Sequence, residues 1–230
     1  MIRSNPILGM RPPRRPHPRK HLLPGEVAQL LATATELVDV TEAGCEADPT
    51  NRVCWEGLFV AEQTLLLVRL AADSGARRGE LATLRLSDLD GRVLTIERNL
   101  SAEVLGPTKT GRTRRLTIGA TTAAMIREHF DTWEARVGAN TVESDWVFAP
   151  DHRRRVHARA DLLSHRFVHL REAAGVPAAT LHRFRHSVAT QLVADGKILK
   201  AQARLGHRDP ATTLRHYAHA TPLDDLDIAS

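Results

Sequence analysis

Tyr217 is the only tyrosine in a chain of 230 residues. It stands ten residues after His207 in the run Leu205-Gly206-His207-Arg208-Asp209-Pro210-Ala211-Thr212-Thr213-Leu214-Arg215-His216-Tyr217. A second cationic cluster, His182-Arg183-Phe184-Arg185-His186, lies upstream, and a third, Gly75-Ala76-Arg77-Arg78-Gly79-Glu80-Leu81, lies further back. A lone phenol in this company suits attack on a phosphodiester. Free phenol, with a pKa of about 10, is mostly protonated at neutral pH, and the transition state gathers negative charge on the phosphoryl oxygens. Arg77 and Arg185 meet the second need, because a planar guanidinium holds two oxygens in a fixed fork. His182 precedes Arg185 by three residues, which on a helix puts both on one face. Lys109, between Thr108 and Thr110 at an expected strand turn, is placed to protonate a leaving 5′ oxygen as general acid. Such chemistry needs neither a divalent metal nor a cofactor, since the arginines take the metal's electrostatic role.

Each motif also has a plain reading. An isolated tyrosine is usually an ordinary residue at the edge of a core. His182 and His186 have the i, i+4 spacing of a zinc pair, but Arg183 stands where a zinc-site helix would carry Glu. Glu80, one turn after Arg77, reads as a structural partner that holds this arginine or caps its helix. Arg78 reads as a solvated surface residue. Arg153, Arg154 and Arg155 form a loop run that meets either phosphate or water. Trp55, Trp133 and Trp146 are core residues by default. Cys45 and Cys54 belong to no CxxC pair, so they do not resemble a metal site. They can pair across the loop between them, but reduced thiols are the expectation for a cytosolic chain.

The elements that must position these groups are mostly helical. Pro24 and Glu26 open an amphipathic helix carrying Val27, Leu30, Leu31 and Leu37. Residues 41 to 54 read as a loop, and Leu58 to Ala72 as a buried helix that breaks at Ser74-Gly75. A short helix is expected from Arg77 to Leu84. Val93-Ile96, a stretch from Ala102 to Leu105, and Arg115-Ile118 predict three short antiparallel strands, with turns at Gly106-Pro107 and Thr110-Gly111. Trp146-Phe148 is a short extended piece. Helices follow over 121–136, 161–173, 181–194, 197–205 and 210–217. The expected class is mainly α with a small antiparallel β-sheet, an α+β fold of one domain.

Charge is unevenly spread. The net value is +5, from 32 Lys plus Arg against 27 Asp plus Glu. Residues 1 to 22 hold six Lys or Arg among five prolines and no acid, the composition of an extended basic arm. Residues 106 to 115 hold Lys109, Arg112, Arg114 and Arg115, again with no acid. Such local fields attract a polyanion, with Arg112, Arg114, Arg153, Arg154 and Arg155 as its candidate contacts. The longest apolar stretch, Leu65 to Ala72, is interrupted by Arg69. No segment reads as a membrane span or a signal peptide, and a cytoplasmic location is expected.

Taken in order, Gly75–Leu81, Leu86-Ser87-Asp88-Leu89-Asp90, Thr108-Lys109-Thr110-Gly111, His182–His186 and Leu205–Tyr217 resemble the motifs of the tyrosine recombinase, or phage integrase, family. The resemblance spans roughly residues 20 to 220 and implies the family's DNA breaking–rejoining catalytic fold. It implies that Arg77 and Arg185 grip the scissile phosphate and that Lys109 is the general acid. It further implies that His182 and His207 are the paired histidines and Tyr217 the nucleophile. The implied reaction is site-specific recombination through a 3′-phosphotyrosyl bond, by several copies, a homotetramer, assembled on double-stranded DNA, the implied partner. Family members also carry an N-terminal helical domain that clamps the opposite face of the duplex. Residues 1–22 would then be the tail of such a domain and its linker, 23–220 the catalytic domain, and 221–230 a short C-terminal tail with Leu223, Leu226 and Ile228. The chain would be a fragment, a truncated gene product or a naturally minimal member. Relaxation of supercoils, as in type IB topoisomerases, and a non-catalytic DNA-binding remnant or regulator are the rival readings.

Overall fold

The computed structural model describes residues 21–137 and 142–206. The structure is organised around one buried helix. Helix α1 (Pro24–Ala47) begins with proline in its first turn, and the Glu26 side chain accepts the Leu23 N–H at 2.7 Å. It runs through half of the segment expected to be loop, because Cys45 is fully buried against the next helix, α2 (Arg52–Ser74). The actual turn is short. Asp48 Oδ1 accepts from Thr50, and Asn51 caps α2 by accepting the Cys54 N–H at 3.1 Å. This geometry overturns the expectation of reduced thiols. The two helices face each other with the Cys45 and Cys54 Cα atoms 5.4 Å apart, within the range a disulfide needs, and the structure joins them.

Helix α2 is buried along nearly its whole length, from Leu58 and Phe59 to Ala71 and Ser74. Each Leu or Phe so removed from water contributes roughly 1.5–3 kcal/mol, which makes α2 the axis of the domain. It ends at Gly75, whose left-handed backbone (φ 62°) lies against Leu205 and Val188; an added Cβ would come within 3.0 Å of Leu205. A single helical turn, α3 (Arg78–Leu81), follows, shorter than expected.

The strands differ from expectation in one respect. A three-stranded antiparallel sheet is formed by β1 (Leu89–Asp90), β2 (Val93–Ile96) and the last strand, β5 (Arg114–Thr117), in the order β1-β2-β5. Between β2 and β5 lies a separate hairpin, β3 (Arg98–Ser101) with β4 (Val104–Pro107), rather than one middle strand. Its turn is Ala102-Glu103, both left-handed (φ 48° and 62°), the backbone a two-residue hairpin demands. Gly106-Pro107 is part of β4, whereas the expected turn at Thr110-Gly111 is present, with the Gly111 N–H donating to Thr108 O at 2.7 Å.

Helices α4 (Ala120–Val137), α5 (Ala160–Ala173), α6 (Leu181–Ala194) and α7 (Ile198–Leu205) match the expected positions closely. Helices α1, α4, α5 and α6 all pack on α2, and α7 packs on α6 through Ala189, Val193, Ala201 and Leu205. Trp133 and Trp146 are buried as expected; of the expected extended piece Trp146–Phe148 only Trp146 forms a bridge, antiparallel to Arg85, while the chain bends at Val147, whose N–H donates to Leu84 O at 2.9 Å. Among the described residues no helix is long and apolar enough to cross a membrane, and no cluster of His, Cys, Asp or Glu is placed to hold a metal ion.

Candidate active site

Arg77 is the residue that opens α3, extended at φ −74° and ψ 153°. That conformation folds its backbone N–H toward Glu80 Oε2 at 2.8 Å, while its Nη1 donates to Glu80 Oε1 at 3.0 Å. Glu80 itself is completely buried. A buried carboxylate persists only if its lone pairs are filled, and the filling comes from β5. Arg114 donates Nη1 to Oε1 at 3.0 Å and Nη2 to Oε2 at 2.6 Å. Burial alone would raise the Glu80 pKa, and it is the largest single influence. The hydrogen bonds and charges of Arg114 and Arg77 together outweigh it, so the carboxyl titrates below its usual 4.5. Two guanidiniums on one carboxylate leave an excess positive charge, and Arg77 is the member that reaches the surface, with 26 % of its side chain exposed against 7 % for Arg114.

The backbone around Arg77 is fixed by contact. A Cβ on Gly79 would fall 2.3 Å from Leu100 O and 2.6 Å from Asn99 Oδ1, so only glycine lets α3 lie against β3.

Arg185 and His182 come from α6, whose first turn is capped by Thr180 accepting the Arg183 N–H at 3.2 Å. Arg185 is buried and donates Nη1 to Gly75 O at 2.9 Å and Nη2 to Leu205 O at 2.5 Å. It thereby ties the end of α2 to the end of α7. His182 is open to solvent and packs edge-on against His186, ring centroids 4.6 Å apart. Desolvation first, then the positive charges of Arg185 and Arg77, hold its pKa below the usual 6.5. It is therefore a neutral imidazole at pH 7, able to accept a proton. Arg77 and His182 line one cleft of about 500 Å³ together with Arg78, Asn99, Ser164 and Arg171. Arg78, expected to be merely solvated, donates to Ser164 Oγ at 2.7 Å and pairs with Asp161 at 3.2 Å.

Lys109 lies exposed on the turn between β4 and β5, with no hydrogen bond or ion pair among the described residues. It is not among the residues that line the cleft. His207 and Tyr217, the arm before residue 21, the helix expected over 210–217 and the tail from 221 lie outside the described residues.

The candidate DNA contacts divide. Arg112 and Arg153 are exposed, and Arg155 is exposed but paired with Glu143 at 2.6 Å. Two expectations are corrected. Arg154 is fully buried, donating Nη1 to Trp146 O at 2.6 Å with its guanidinium 4.0 Å from the Phe130 ring centroid, so it cannot meet a phosphate. Arg114 is spent on Glu80. The sequence drew attention to Glu80 through its spacing from Arg77, but Arg114, 34 residues further on, carried no local signal of its role.

Comparison with known proteins matches residues 59–223 to the phage integrase family. Tyrosine recombinase XerC of Pseudomonas syringae pv. tomato is 31% identical over 162 residues, covering 70% of this chain and 49% of that protein. The XerH site-specific recombinase bound to its difH substrate superposes with a TM-score of 0.60 at 18% identity, covering 87% of this chain and 50% of the other. The catalytic domain of bacteriophage HP1 integrase superposes at 0.53 and 21% identity, covering 88% of both chains. The chain spans about half the length of the curated relatives it matches.

Proposed function

Because this chain belongs to the phage integrase family, we propose that it cleaves and rejoins DNA strands in site-specific recombination, through a 3′-phosphotyrosine linkage at Tyr217. The observation that carries this reading is Arg77, held by buried Glu80 and facing a cleft beside the neutral His182. Arg77 brings to the cleft the positive charge that the pentacoordinate phosphorane requires, and buried Arg185, whose charge reaches His182, adds to that field. The Tyr217 oxygen attacks phosphorus, and its proton passes to a neutral imidazole, for which His182 is in the right state. The P–O5′ bond breaks, and Lys109 protonates the departing oxygen. His207 stabilises a phosphoryl oxygen. Reversal by a 5′-hydroxyl from a partner strand joins the new strands and releases the tyrosine, so the ester bond energy is conserved. No metal or nucleotide enters the balance.

Double-stranded DNA is the substrate, with the exposed Arg112, Arg153 and Arg155 as its candidate contacts, and strand exchange takes place within a homotetramer on DNA in the cytoplasm. The test uses a nicked suicide duplex carrying the candidate site, on which cleavage leaves an SDS-resistant protein–DNA adduct. The adduct is expected with wild type in the presence of EDTA, is absent with Tyr217→Phe and is nearly absent with Arg185→Ala. An adduct surviving Tyr217→Phe overturns the nucleophile, and loss of the adduct on chelation overturns the metal-free mechanism.

A further inference from the structure

Arg114 is bound at all three of its nitrogens. Its Nη1 and Nη2 fork onto the Glu80 carboxylate at 3.0 and 2.6 Å, and its Nε donates to Arg204 O at 2.9 Å. Those partners lie in two different parts of the site. Glu80 is the residue that grips the backbone and side chain of Arg77. Arg204 belongs to the last turn of α7, whose next carbonyl, Leu205 O, is held by Arg185. The strand that carries Arg114 begins directly after the turn bearing Lys109. One guanidinium thus links the strand that follows Lys109, the carboxylate that holds Arg77, and the end of α7 that Arg185 also holds, the point from which the chain leads on to His207.

We propose that Arg114 is a positioning residue for DNA cleavage: it sets Glu80, Glu80 sets Arg77, and the same guanidinium fixes the end of α7 relative to both. The inference rests on the cleavage reading above. The forked geometry is the reason Arg stands here, because a lysine would supply the charge but a single point of attachment, leaving one Glu80 oxygen to draw Arg77 out of line. Arg114 touches no substrate. Its effect passes through Arg77, and a misplacement on the order of 1 Å at a phosphate-gripping group can slow cleavage by about 100-fold.

The experiment uses the full chain with Arg114→Lys, Arg77→Ala and the double variant, each checked for cooperative thermal unfolding. Arg114→Lys keeps the charge opposite Glu80 and is the variant expected to fold. Arg114→Met combined with Glu80→Gln, which removes both buried charges together, is the second. On the suicide duplex, Arg114→Lys is expected to slow adduct formation about 10- to 100-fold. The loss should shrink in the Arg77→Ala background, and also on a duplex with a neutral methylphosphonate at the scissile position, where a phosphate-gripping charge has less to do. A wild-type rate in Arg114→Lys, or an undiminished loss in the Arg77→Ala background, overturns the proposal. NMR of the arginine side-chain N–H groups reads the same geometry without catalysis. The Arg77 signal should move in Arg114→Lys and in the charge-free pair, and an unmoved signal in both overturns the inference. If wild type forms no adduct, the cleavage reading fails by itself, and the NMR result still decides whether Arg114 places Arg77.

Discussion

Besides Arg185, which ties the ends of α2 and α7, arginines are buried in two parts of this molecule, and their partners differ. Beside the cleft, Arg114 and Arg77 share the Glu80 carboxylate, and part of Arg77 remains at the surface. Beside Phe59 and Gln63 of α2, Arg154 and Arg166 have oxygens but no carboxylate as direct partners. Arg154 donates to Trp146 O and Val147 O and lies over Phe130 and Phe59, while Arg166 donates to Gln63 Oε1, Ala149 O and Pro150 O. Burial lowers the pKa of both to about 10, still charged at neutral pH. Guanidiniums of the second kind brace a loop by filling its carbonyls. Those of the first kind transmit orientation, because a carboxylate held on two sides fixes what it holds. Burial alone does not say what an arginine holds in place; for these four the partner does, a shared carboxylate in one region and loop carbonyls in the other.

The sharpest way to break this contrast is a pair of substitutions read two ways. Arg77→Ala is expected to slow adduct formation by about 100- to 1,000-fold, the usual loss when one transition-state donor is removed. Its urea midpoint should change little, since Glu80 keeps its fork from Arg114. Arg154→Met should do the reverse, losing about 1–3 kcal/mol of stability as the buried Trp146 carbonyl loses its Arg154 donor and Val147 O is left with Gln63, with an unchanged cleavage rate per folded molecule. If both variants lost rate and stability alike, the contrast would be wrong.

Acid sharpens it from another direction, because each region contains one depressed carboxyl. Glu62, like Glu80, is raised by burial and lowered further by its partners, here His129, Trp133 and Arg136. A carboxyl with a lowered folded pKa binds its proton more weakly when folded than unfolded. Its stabilisation is complete above the ordinary 4.5 and drains away as pH falls below that value through the folded pKa. Glu80→Gln and Glu62→Gln should each flatten the stability–pH curve below 4.5, whereas only Glu80→Gln should also slow cleavage. The smallest effect concerns His182. Its pKa lies below 6.5, so the adduct rate should be level from pH 7.5 (about the working range of the assay) down to that value and fall beneath it. His182→Gln should remove the acid limb, and a decline starting above 6.5 would contradict the lowered pKa.

Much of this was legible from the chain itself. The apolar run of residues 58–72 locates α2, because a helix buried on most faces leaves a dense pattern, and the spacing over 181–194 locates α6, which buries one face through Leu181, Phe184, Ala189 and Val193. Glu80 was identified as the partner of Arg77 because the two are one turn apart. The last turns of α1 were missed, since Gly44 and Cys45 are poor helix signals and only their packing on α2 keeps them helical. The hairpin turn at Ala102-Glu103 was missed for a similar reason: it has left-handed backbone at two residues that carry none of the usual Gly or Asn. Arg114 and Arg154 were read as DNA contacts because charge is visible in a sequence while burial is not. Their partners, Glu80 and the carbonyls of Trp146 and Val147, are brought to them by the fold.

The bond between Cys45 and Cys54 makes the first two helices a closed ring of chain. The residues inside that ring, Asp48 to Asn51, are exposed and are the natural place for a protease to cut. A break there would not shed α1, which would stay fastened to α2 until a reductant opened the ring. The digest would run as one band on a gel without thiol and as two bands with it.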